Sequence, residues 1–266
     1  MSLLDPLIHA LAAVVAATHA GLTHLGADPA AGSTWLLCIA TVVVTVRVAL
    51  LPLVVHGVRN AHSAARARPH LKELADRYRH RKDAASLREH LEERRRISAE
   101  HGVSRLGCLP VLVQLPLWVA LYHLLAGVAG GTPVGAMDTD LVGALGTATL
   151  LAVPLAARGY LGGGPVHLAV VAGLALLAAG LSFVTQRYFV ATNTVLDGMP
   201  DGMAAVQQMM PVISAVGLLV AGGFVPTALL VYWICNSTWT LGQTFVVWRW
   251  FPTPGTPAAR RRATPA

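Results

Sequence analysis

The stretch TWLLCIATVVVTVRVALLPLVV, residues 34–55, is apolar at almost every position and carries one arginine, Arg47, inside the apolar run. A bilayer has a hydrocarbon core about 30 Å thick, which roughly 20 apolar residues cross as an α-helix. The stretch therefore reads as a membrane span, about 34–56. Four more runs of this kind lie at about 106–128, 166–186, 207–222 and 227–248. The composition agrees: 55% of the chain is hydrophobic, only 12% is charged, and the mean hydropathy is +0.58. These features predict an all-α polytopic membrane protein with a five-span core over 33–250.

Arg47 lies twelve residues past Trp35 and twelve before Arg59. At about 1.5 Å per residue, that is roughly 18 Å from either boundary, too deep for easy snorkelling. An arginine at mid-depth costs about 3 kcal/mol on insertion scales, so it needs a partner or water. A carboxylate on another span would be the usual partner, but the inventory excludes one. The thirteen acidic residues are Asp5, Asp28, seven between Glu73 and Glu100, Asp138, Asp140, Asp197 and Asp201, and none falls inside a predicted span.

The fifth predicted span, VPTALLVYWICNSTWTLGQTFVVW, offers a neutral counterpart. Tyr232, Asn236, Trp239, Thr240 and Gln243 recur at offsets of four, three, one and three, which places them within about one third of a helix circumference. With Trp233 beside them, they form a candidate hydrophilic face. The amides could instead only tie helices together. In the second predicted span, Gln114, with Trp118 one turn on, would add a third wall, and Pro116 is tolerated there if neighbours satisfy the freed carbonyl.

Orientation follows from the basic residues, which stay on the cytoplasmic side. Thirteen lie between Arg59 and Arg105, only Arg158 between 129 and 165, and Arg249 and Arg260 to Arg262 in the tail. The expected topology is N-terminus outside, C-terminus inside. The polar segment 57–105 then becomes a cytoplasmic helical hairpin, with Leu71, Leu74 and Tyr78 phased to meet Leu87 and Leu91 in a thin seam. Residues 1–32 are expected to form an external amphipathic segment rather than a cleaved signal, because Asp5 replaces a positive n-region. Residues 251–266 are expected to form a short basic tail. A sixth crossing at 141–157 would put that tail outside, so this Gly- and Pro-punctuated stretch is expected to be re-entrant or interfacial.

Several function classes are disfavoured. The predicted spans hold no Asp, Glu or Lys for a proton relay. No GxSxG motif marks a serine nucleophile, and the eleven histidines include no HExxH pair for a metal. Cys38, Cys108 and Cys235 read as small apolar fillers. The net charge of +7 is concentrated in one polar segment between spans, which leaves anionic lipid headgroups and ribosomal RNA as candidate partners rather than DNA.

With VRVALLPLVV, RPHLKELADRYR, EHGVSRLGCLPVLVQLPLWVALYHLL, MMPVI and YWICNSTWTLGQ in this order, the chain resembles the YidC/Oxa/Alb membrane protein insertases, in particular the Gram-positive type. The resemblance implies a positively charged groove open to cytoplasm and lipid. Arg47 there receives hydrophilic or acidic parts of nascent membrane proteins, which the spans guide into the bilayer. It further implies action alone or beside the Sec translocon, a hairpin that captures substrate or contacts insertion machinery including the ribosome, and no catalytic residue, cofactor or metal. The chain reads SRLGCLP where the family often reads NPLAGCLP, has Cys235 where serine is common, and has a shorter basic tail. A holding chaperone or scaffold without translocation activity is the alternative.

Overall fold

Pro52 decides where the first apolar stretch breaks. It has no N–H to offer the Val48 carbonyl and its ring crowds that oxygen, so helix α2, Gly32–Ala49, stops there and α3, Leu51–Tyr78, starts after Leu50. Proline is accepted in the first turn of α3, where N–H groups have no intrahelical partner. The computed structural model describes residues 4–79, 81, 83–104, 109–195 and 201–263, without the side chains of 109–111, 201 and 263. Arg105, Cys108 and Asp197 lie outside the described residues.

Five helices are long and apolar enough to cross a membrane: Asp5–His24, Gly32–Ala49, Leu112–Ala129, Gly164–Asn193 and Gly202–Gly222. Compared with the expected spans, the N-terminal helix α1, Asp5–His24, is in this set and α9, Thr227–Trp250, is not. The difference is one of composition. Helix α9 has ample length at 24 residues, but its polar residues lower its hydropathy.

The chain divides into two units. The first comprises the chain up to Leu50, Leu112–Thr185 and Pro211–Gly242. In it, α1 packs lengthwise on α2. The His19 and Trp35 rings meet at 4.8 Å, and both ring N–H groups are satisfied by the Pro29 carbonyl, at 3.0 and 3.2 Å. The segment expected to be an external amphipathic helix thus buries Leu11, Ala12, Val15 and His19. The core continues through Trp35, Ile39 and Val43 of α2, Leu121 and Leu124 of α5, Leu109–Ala129, Val171 and Ala175 of α7, Gly164–Val184, and Leu229 and Leu230 of α9.

Residues 141–157 do not form a span. Helix α6, Thr139–Thr147, has nine residues, a rise of roughly 14 Å, and is capped by Asp138 on the Leu141 amide at 2.9 Å. It leads into a short hairpin, β1 Thr149–Leu150 with β2 Val153–Pro154, whose two-residue turn holds Leu151 and Ala152 at positive φ.

The following loop stitches helix ends together. Arg158 donates to the Ala126 carbonyl at 3.0 Å, the Ala157 carbonyl accepts the Thr227 amide at 2.8 Å, and His167 bonds the Gly159 carbonyl at 2.9 Å. Gly159 is required here. Its φ is +72°, and a Cβ would come within 2.7 Å of the Gly223 oxygen.

The second unit comprises Leu51–Val111, Gln186–Met210 and the chain from Gln243 on. Its main feature is the hairpin of α3 with α4, Ala84–Glu100, whose N-cap Asp83 accepts from the Ser86 amide at 2.9 Å. Leu74 is buried in the seam, but Leu87 and Leu91 are turned outward, 57% and 42% exposed. The seam expected from sequence is therefore corrected. Helix α4 presents His90 and Glu93 instead, with His90 against Tyr78 at 5.3 Å and Glu93 bonded to Arg77 at 3.3 Å.

A π-helical turn, Thr185–Val190, enters this unit at Gln186 and runs into a 3-10 turn, Ala191–Asn193. Phe189 there packs edge-on against Phe245 and Trp248 at 5.7 and 5.4 Å. Within the tail, Asn193 Oδ1 accepts the Thr253 amide at 2.8 Å, and Thr256 caps α10, Pro257–Ala263. Helix α8, Asp201–Gly222, is divided between the units after Met210, and its first-unit part leaves Val212, Val216 and Val220 exposed, as suits a surface facing lipid tails.

Candidate functional site

Arg47 stands in the last turn of α2 and reaches across the first unit to α9. Its Nε and Nη2 both donate to Asn236 Oδ1, at 3.1 and 2.6 Å, and Nη2 also donates to Thr240 Oγ1 at 2.8 Å. The four-residue spacing of Asn236 and Thr240 puts both acceptors on one face of α9. The Thr240 hydroxyl gives its own proton to the Asn236 backbone carbonyl at 2.8 Å. Its lone pairs are thereby free to accept from the guanidinium.

A guanidinium has five N–H groups, and these bonds use three of them. The two on Nη1 have no hydrogen-bond partner among the described residues. No polar side-chain atom among the described residues is both buried and unsatisfied, so Nη1 of the half-buried Arg47 is accessible. No salt bridge among the described residues involves it either. Both ends of the contact are therefore polar, and only one carries charge. Such a site can accept an anion at Nη1 without first breaking an internal ion pair.

The other candidate residues are distributed unevenly. Tyr232 and Trp233 are packed into the core, 4% and 8% exposed, because every residue from Thr227 to Trp233 is buried. Trp239 is half-buried on the Asn236 side of α9, and Gln243, also half-buried, begins the part of α9 assigned to the second unit. Trp118 is 45% exposed and stacks on Tyr122 at 6.2 Å. Gln114 is half-buried, and among the described residues no hydrogen bond joins it to Arg47. Close to Arg47 along α2, Val46 and Ala49 help line a cavity of about 230 Å³ with Leu7, Leu11, Val14 and Leu117. That cavity is apolar and adds no polar wall.

Residues 27–254 match the model of the family described as 60Kd inner membrane protein. The chain belongs to that family. Among its relatives is a protein of Streptomyces avermitilis named membrane protein insertase YidC, 32% identical over 243 residues that cover 88% of this chain and 55% of the relative. Proteins of the same name from Corynebacterium glutamicum and Oceanobacillus iheyensis are 27% and 28% identical, covering 92% and 79% of this chain and 64% and 73% of theirs. The chain thus spans little more than half the length of some curated relatives it matches. Family membership together with the apolar helices makes this a multi-pass protein of a bacterial membrane.

Proposed function

We propose that the protein inserts integral membrane proteins and helps them fold, with Arg47 as the charged element of a hydrophilic groove and Asn236, Trp239 and Thr240 as its neutral wall. Gln114 and Trp118 extend that wall from the second predicted span, and the buried Tyr232 and Trp233 support it from behind. The observation that carries this reading is the Arg47 guanidinium, held by neutral oxygens and keeping two accessible N–H groups.

The chemistry follows from electrostatics and transfer. An incoming carboxylate about 4 Å from a guanidinium gains about 4 kcal/mol at an effective dielectric constant near 20. That gain offsets part of the cost of carrying a polar tail into the bilayer. The substrate's own apolar segment then moves into lipid, favoured by roughly 25 cal/mol per Å², and the tail leaves the arginine on the far side. The neutral partners matter because a resident carboxylate would occupy the arginine and repel the substrate. In this reading the N-terminus is outside and the α3–α4 hairpin and tail are cytoplasmic, where the Sec translocon and the ribosome are available as partners.

The test is reconstitution of the purified chain in liposomes with a radiolabelled small membrane protein bearing an acidic tail. Protease protection of the tail is the expected result. Co-purification of the substrate without protection would replace insertion by a holding scaffold.

A further inference from the structure

The outward turn of Leu87 and Leu91 leaves a helix face that no described element covers. At 100° per residue, Arg94, Leu87, Leu91, Arg95 and Arg88 fall within about 120° of the α4 circumference. Glu89, Glu92, Glu93 and Glu100 all lie outside that sector. The α4 charges are therefore sorted. Arg96 pairs with Glu93 and Glu100 at 3.6 Å on the acidic side, whereas no salt bridge among the described residues involves Arg88, Arg94 or Arg95. Asp83, at the border of the sector, has its carboxylate turned to the Ser86 amide. The result is two exposed leucines bracketed by three exposed arginines, on a helix of 17 residues.

We infer that this face docks on the anionic phospholipid surface of the membrane. The charge is complementary to acidic headgroups. The leucines supply what charge alone does not, an apolar ridge that gains by entering the boundary between headgroups and acyl chains while flanking arginines stay at the phosphates. An RNA partner fits less well, because single-stranded nucleic acid is gripped by aromatic stacking, whereas this sector of α4 holds no aromatic residue and the Tyr78 and His90 rings meet in the seam. Docked in this way, the hairpin is held at the bilayer surface by its second helix.

Neighbouring alanines provide the test, since Ala84 lies inside the sector and Ala85 outside it, about 100° further round the helix. Full-length chains with Cys38→Ala, Cys108→Ala and Cys235→Ala and either Ala84→Cys or Ala85→Cys are labelled with an environment-sensitive fluorophore. They are then reconstituted in vesicles of phosphatidylcholine alone or with phosphatidylglycerol in both leaflets. The expected result is a blue shift at position 84, absent at 85, that requires phosphatidylglycerol and weakens in high salt. The ratio of docked to undocked hairpin should fall about fivefold for each of Arg88→Gln, Arg94→Gln and Arg95→Gln. Identical spectra in the two vesicle types overturn the inference, as does an equal shift at both positions. A shift produced only by added ribosomes reassigns the face to RNA and likewise overturns it. With anionic lipid in both leaflets and no substrate present, none of these readouts depends on orientation or on insertion activity.

Discussion

Arg47 and the arginines of the α3–α4 hairpin are the same side chain solved in two ways. In the hairpin, Arg77 and Arg96 meet Glu93 at 3.3 and 3.6 Å while remaining 60% and 69% exposed. Such pairs contribute about 0–1 kcal/mol because water competes for both partners. In the span, where a carboxylate would interact far more strongly, the hydrogen-bond partners of Arg47 among the described residues are an amide oxygen and a hydroxyl. Carboxylates are thus placed where they matter least to an arginine and withheld where they would neutralise one. On the proposed function the charge of Arg47 is kept available, whereas Arg77 and Arg96 are paired with Glu93 within the hairpin.

Substitutions sharpen this contrast. The largest effect is expected from Arg47→Ala, a loss of about tenfold in insertion of substrates with acidic tails, equivalent to about 1.4 kcal/mol, measured by protease protection in liposomes. Arg47→Lys should lose about threefold, since an ammonium keeps the charge but not the fork that grips Asn236. Equal insertion by all three chains would break the contrast.

Next in size is Leu74→Ala, which empties the hairpin seam. Local stability should drop by about 2 kcal/mol, speeding amide exchange in α3 and α4 by about thirtyfold while α2 is unaffected. Exchange that rises equally in α2 would mean the hairpin does not melt by itself. Smallest is the effect of pH at the start of α4. The Ser86 amide and hydroxyl hold the Asp83 carboxyl below its ordinary value. Its capping contribution is therefore complete above the pKa of a free aspartate and is lost only as pH falls through the lower folded value. The Ser86 Cα chemical shift should move toward coil over that acidic window, and Asp83→Asn should abolish the titration.

Much of this arrangement was legible in the residues. A guanidinium in an apolar run, a carboxylate inventory with none inside a predicted span, and polar residues at helical spacing around Asn236 point to the pairing of α2 with α9. Other features were hidden for definite reasons. Periodicity phases each hairpin helix by itself but not one against the other, so Leu87 and Leu91 look like seam residues until the Arg77–Glu93 and Tyr78–His90 contacts set the rotation. The loop from Leu155 to Tyr160 bonds the Thr227 and Ala228 amides at the start of α9 through the Ala157 and Leu155 carbonyls, a connection that no local pattern announces, and Tyr232 and Trp233 lie in the buried run that follows. The tail helix did carry a signal, since Thr256 followed by Pro257 is an N-cap with proline at the first helical position.

The central claim, that the arginine must be free of a resident anion, is tested most directly by Asn236→Asp. This change places a carboxylate where Asn236 Oδ1 now accepts from Nε and Nη2. Thermal stability in detergent should stay level or rise, because the pair becomes ionic, while insertion of acidic-tailed substrates in liposomes should fall about tenfold, as with Arg47→Ala. Raised stability with undiminished insertion would show that Arg47 only fastens α2 to α9, and would contradict the proposed mechanism.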